Sequence, residues 1–176
     1  MHSGDEYNMN RKYPALACAI VVMCFSAFPV RLFAQSSAEA GTLTLSLGDV
    51  CQIAGGTVAL GFGLWHFAVP GIYGWQSYVP EAPQSLVDAV AATNFFMSLS
   101  LSMVGASNIV MPLLAESATP LGRYWLWANV GLWTTRVVYQ LVKPQGSHNP
   151  ALRWGMTGAF VLTDLLFIVA AVAATL

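Results

Sequence analysis

Charge is scarce in this chain. Asp, Glu, Lys and Arg make up 9% of its 176 residues, seven of them basic and eight acidic, where a soluble domain carries about a quarter. So few charges cannot cover a water-facing surface. A formal net charge of -1 gives no basic field for nucleic acid and no acidic tail, so nucleic-acid binding is excluded. Cysteine is sparse as well: Cys18, Cys24 and Cys51 all lie in apolar stretches, without CxxC spacing or a neighbouring histidine. That excludes a zinc site and a disulfide framework and leaves buried thiols. Met23 before Cys24 is not the small residue that lipoprotein processing needs. Also missing are a G-x-S-x-G elbow, an H-E-x-x-H pair and a glycine-rich phosphate loop, since Gly55-Gly56 sits inside an apolar run. Hydrolase and nucleotide-binding chemistry therefore have no basis here, and no residue is assigned as catalytic or as a metal ligand.

Apolar sequence is abundant. It makes up 56% of the chain, the mean hydropathy is +0.60, and the runs approach the roughly 20 residues that cross a hydrocarbon core of about 30 Å. The expected fold is all-α: an integral membrane four-helix bundle over residues 41–176, preceded by an N-terminal signal peptide or an extra membrane helix over 1–40. Arg11 and Lys12 lead into ALACAIVVMCFSAFPV at 15–30, near the upper edge for a signal h-region and short for a span. Ala38-Glu39-Ala40, or earlier Ala34-Gln35, supplies a cleavage pattern.

Helices are expected at about 48–69, 85–114, 122–142 and 152–176. The first carries Gln52, Gly56, Ala59, Gly63 and His66 on one stripe, small enough for a neighbouring backbone to approach closely. Pro70 and Gly71 should stop it. The connection over 70–86, rich in proline, glycine and aromatics, should lie along the membrane surface. The second helix has its own stripe of Asn94, Ser98, Ser102 and Gly105. The third places Trp125, Asn129, Trp133, Arg136 and Gln140 on one face and Leu126, Val130, Val137 and Leu141 on the other. Arg11, Lys12, Lys143 and Arg153 fall on one side of the membrane and Arg31 and Arg123 on the other. The positive-inside rule then puts the 70–86 and 143–153 loops of this multi-pass chain in the cytoplasm and its C-terminus outside.

Ionisable groups at membrane depth cost about 2.5–3.5 kcal/mol on insertion scales and need a partner, a wet cavity or a function. Arg136 lies about 10 Å from the level of Lys143, and Asp164 about 16 Å from that of Arg153, at 1.5 Å per residue. A long guanidinium stem covers that difference, so the two are expected to pair across the last hairpin. His66 and Asn94 fall in the same half of the bundle. The candidate intramembrane polar site is therefore His66, Asn94, Arg136, Gln140 and Asp164. No cofactor is expected. A haem would need a second axial ligand, and His2 and His148 lie outside the spans. A quinone would have His66 as its polar contact and Trp65, Trp75, Trp125 and Trp133 as apolar walls.

The four apolar spans, WHFAVP at 65–70 and WTTRVVYQ at 133–140 resemble small bacterial integral membrane proteins of unknown function, similar in architecture to the DoxX-like class. The resemblance covers residues 48–176. It implies a four-helix inner-membrane bundle with a partner-dependent or redox-associated role. Two functions are compatible with the residues. The first is a non-enzymatic module that meets membrane lipids and, through the polar residues in the cytoplasmic half of the bundle, binds a lipid-like small molecule, a membrane protein partner or a second copy of itself. The second is a small redox component, associated with quinone or haem, or a proton or solute transport component, using His66, Arg136 and Asp164.

Overall fold

The computed structural model describes residues 45–78, 81–146 and 149–176, so the expected signal peptide or anchor over 1–40 lies outside the described residues. Among them the chain is all helical, with no strand. Helix α1 is Leu47–Ile72, α2 is Gln84–Leu113, α3 is Pro120–Val142 and α4 is Pro150–Thr175, and a short 3-10 turn, Trp75–Tyr78, follows α1. Helices α1, α2 and α4 are long and apolar enough to cross a membrane. Four such helices were expected. The 23 residues of α3 reach about 34 Å, long enough to span, but Arg123, Asn129, Arg136 and Gln140 keep its composition below that standard.

Local chemistry fixes most helix ends. Ser46 and Asp49 form a capping box on α1: the Ser46 hydroxyl accepts from the Asp49 backbone N–H at 3.1 Å, and Asp49 Oδ2 accepts from Ser46 N–H at 3.0 Å. Thr119 caps α3, accepting from Gly122 N–H at 3.0 Å, with Pro120 next. Asn149 caps α4 ahead of Pro150, the N-terminal proline needing no helical partner for its missing N–H. Helix α2 ends in a Schellman turn, in which Glu116 N–H donates to Met111 C=O at 3.0 Å and Ala115 N–H to Pro112 C=O at 3.1 Å. Ala115 takes the left-handed position of that turn, at φ +57°.

Pro70 and Gly71 do not stop α1, contrary to expectation; the helix continues through Pro70 to Ile72. A proline inside a helix leaves the carbonyl four residues earlier, here that of His66, without its usual donor. Asn94 replaces it, as described below.

The described chain divides into two compact units, one of Leu60–Val104 and one of 45–59 with Gly105–Leu176. In the first unit, the Gly63 backbone lies so close to Ser102 that any β-carbon there would collide with the Ser102 main chain and hydroxyl, and Phe67 meets Phe95 edge-on at 5.6 Å. In the second unit, a β-carbon on Gly56 would lie 2.8 Å from the Gly105 carbonyl oxygen, and one on Gly55 would lie 3.1 Å from the Phe167 ring. The small-residue stripe of α1 is thus used for close packing within each unit, as expected.

The core of the second unit is Leu126, Trp133, Phe160 and Phe167. Helix α3 is built inside out. Asn129, Trp133 and Gln140 are buried, whereas Leu121, Tyr124 and Val142 are 74%, 72% and 71% exposed. Leu126, expected on the opposite face, is buried with them. Polar groups inside and apolar groups outside suit lipid as the surrounding medium.

Candidate functional site

His66 and Asn94 belong to the first unit, and Arg136, Gln140 and Asp164 to the second. Within the first, the Asn94 amide Nδ2 donates to the main-chain carbonyl of His66 at 3.0 Å. That is the carbonyl left without a helical donor by Pro70. Asn94 therefore meets the backbone of His66 and repairs the proline defect in α1. Below it Ser98 and Ser102 donate their hydroxyls to the carbonyls of Asn94 and Ser98, at 2.6 and 2.8 Å, so the polar stripe of α2 satisfies itself along the helix.

Within the second unit the expected Arg136–Asp164 pair is not formed. The Arg136 guanidinium donates to the Gln145 side-chain oxygen and lies over the Phe160 ring, 4.3 Å from its centroid. Asp164 accepts instead from the Thr134 hydroxyl, at 3.1 Å to each oxygen. The physical reason is the direction of the arginine stem: it runs toward the α3–α4 turn, where polar groups and water are close, and away from the deeper carboxylate. Gln140 completes the turn. Its Nε2 donates to the Gln145 main-chain carbonyl at 3.2 Å, and its Oε1 accepts from the Gln145 N–H at 3.2 Å. Arg136 and Gln140 are thus brought together, and both hold the loop that starts α4.

A second polar group occupies the other end of the unit. Trp125 Nε1 donates to Asn108 Oδ1 at 3.2 Å. Asn108 Nδ2 donates to Asn129 Oδ1 at 3.0 Å, Asn129 Nδ2 donates to the Trp125 carbonyl at 2.8 Å, and Gln52 Nε2 donates to Asn108 Oδ1 at 3.3 Å. Gln52, Asn108 and Asn129 are essentially inaccessible to solvent. The direction of every bond is fixed by chemistry. An indole can only donate, so Asn108 must turn its oxygen to Trp125; Gln52 must then offer Asn108 its nitrogen. That leaves Gln52 Oε1, which has no hydrogen-bond partner among the described residues.

Gln52 lines a cavity of about 410 Å³ between the start of α1, the α2–α3 turn and the last turn of α4, together with Asp49, Ser117, Ala118 and Ala173. The Ser117 hydroxyl, on a residue 7% exposed, also lacks a partner among the described residues. Buried polar atoms are rarely left so, and each such atom calls for a reason. Of these residues the sequence placed Gln52 and Asn129 on helix faces, but Asp49, Asn108 and Ser117 carried no assignment. The available signal was Asn108, a lone amide within the apolar run SMVGASNIVM, which at membrane depth must bond across helices.

No family model, curated protein or solved structure matches the chain. Its class rests on the helices themselves: the described residues are all helical, with three helices among them suited to crossing a membrane.

Proposed function

We propose that the chain is a four-helix protein of the bacterial inner membrane, DoxX-like in architecture, with its C-terminus outside the cytoplasm. Its function is to bind a lipid-like small molecule rather than to catalyse a reaction. The observation that supports this most directly is the cavity at the helix ends of the second unit, lined by Gln52 and Ser117 with an unpartnered polar atom on each. Helix ends lie at the membrane surface, where an amphiphile keeps its headgroup, and the exposed apolar side chains of α3 and α4 beside it suit the acyl chains. Arg136 and Gln140 support a structural role at the opposite end, since their hydrogen bonds go to Gln145.

The test is to purify the full-length protein in mild detergent and count bound lipid by native mass spectrometry, with Ala118→Trp as the variant that fills the cavity. The expected result is lipid on the native protein and its loss from the variant at unchanged helical content. Lipid retained by Ala118→Trp overturns the proposal. A reporter fused to the C-terminus and active only in the cytoplasm would overturn the orientation.

A further inference from the structure

We infer that the headgroup taken by this cavity carries a primary ammonium, either on an aminophospholipid or on a free small amine; the inference rests on the binding function proposed above. The unmet hydrogen-bonding capacity of the residues that line the cavity is mainly accepting. Gln52 Oε1 can only accept, and Ser117 Oγ can accept as well as donate. Asp49 meets Ser46 through Oδ2 alone, with bonds of 3.0 and 2.7 Å, which leaves Oδ1 on a cavity-lining residue. Among the described residues, no Lys, Arg or His lines the cavity.

Helix ends of both polarities meet there. The N-terminal ends of α1 and α3 bring partial positive charge and the C-terminal ends of α2 and α4 partial negative charge. Asp49 therefore sets the sign. An anion would face a carboxylate and an unpaired carbonyl oxygen. A quaternary ammonium has the right charge but no N–H, so it would leave both oxygens unmet and desolvated. A primary ammonium offers three donors, matching in number and kind the acceptors carried by the lining residues Gln52, Ser117 and Asp49.

The experiment compares phosphatidylethanolamine with phosphatidylcholine, which differ at the headgroup nitrogen, on the full-length protein in detergent by native mass spectrometry and thermal unfolding. Parallel arms use ethanolamine and choline. The native protein is expected to prefer phosphatidylethanolamine by about tenfold, from one or two charge-assisted hydrogen bonds. Ser117→Ala and Asp49→Asn should each lower that ratio several-fold, and Gln52→Met should bring it near one. If Gln52→Met fails to fold, the other two variants carry the test.

Ethanolamine that protects where choline does not assigns a free amine; protection by phosphatidylethanolamine alone assigns the lipid; both support the inference. Equal binding of the two lipids, a preference that survives in all three variants, or no binding by any probe overturns it. Equal binding that Ala118→Trp abolishes leaves the proposed binding function standing and removes only the ammonium. Lipid binding unchanged in Ala118→Trp removes the binding function itself.

Discussion

The two ends of the second unit use the same kind of residue to different effect. Near the α3–α4 turn, Arg136, Gln140 and Gln145 close on one another, and both ends of the Gln140 amide are engaged. Near the α2–α3 turn, Trp125, Asn108, Asn129 and Gln52 form a directed chain that ends with an oxygen to spare. A closed polar cluster holds a loop, and its role is complete without a ligand. An open one in a buried setting keeps an unmet demand for a donor, and a cavity beside it gives that donor a place to sit.

The largest expected effect probes how tightly the open end is built. Asn108→Leu should leave the Gln52 amide, the Trp125 indole and the Asn129 carbonyl oxygen without their shared partner, at a cost of about 2–4 kcal/mol. Gln140→Leu at the closed end should cost about 1 kcal/mol, because the Gln145 main chain it releases lies in an exposed turn that water reaches. Reversible unfolding in mixed micelles measures both. A greater loss at Gln140 would reverse the contrast between a buried and a solvated network.

Next in size is the coupling of Arg136. A double-mutant cycle between Arg136→Ala and Gln145→Ala should return about 1 kcal/mol, from a charge-assisted hydrogen bond at a partly solvated site. The Arg136 and Asp164 cycle should fall well below it, since each residue has another partner. The opposite order would restore the pair expected from the sequence.

The first unit offers a closed contact of the simplest kind. Asn94→Ala should destabilise by about 1 kcal/mol by removing the hydrogen bond that Asn94 Nδ2 gives the His66 carbonyl. Pro70→Ala, which returns the missing helical N–H, should recover most of that loss in the Asn94→Ala background and do less in the native protein. Simple additivity would show that Asn94 does something other than stand in for Pro70.

The helices were legible because lipid-facing sequence is dominated by one variable, the length of apolar runs, and α1, α2 and α4 each lie within a few residues of the expected bounds. The inward face of α3 was legible for the same reason, since Asn129, Trp133 and Gln140 recur at helical spacing. Partner choice was not. Depth counted in residues put Arg136 within reach of Asp164, but a flexible stem can run in either direction, and Gln145, its partner, lies on the turn beyond the helix. The stop at Pro70 was misjudged because proline ends a helix only when nothing supplies the missing bond, and Asn94, 24 positions along the sequence, supplies the donor. The cavity was hidden for a related reason. Asp49 and Gln52 lie on α1 and Ser117 on the α2–α3 turn, far along the sequence, and only the folded chain brings them to one space.

The smallest expected effect, at Ala115, comes from comparing the two ends at the level of single backbone torsions. Among the described residues, each turn holds one at positive φ: Gly146 at +73° near the closed cluster and Ala115 at +57° in the wall of the cavity. Glycine takes that conformation without strain, whereas alanine pays about 1–2 kcal/mol for it. Gly146→Ala should therefore destabilise by about 1 kcal/mol or more, because its β-carbon would also press to 3.0 Å from the Leu152 side chain. Ala115→Gly should instead stabilise by about 0.5 kcal/mol, the relieved strain being partly offset by the greater freedom of glycine in the unfolded chain. Thermal unfolding of the two variants should thus move in opposite directions. A destabilised Ala115→Gly would mean that the alanine methyl packs against the cavity wall strongly enough to outweigh the torsion. The strain at the open end would then be part of how the cavity keeps its form.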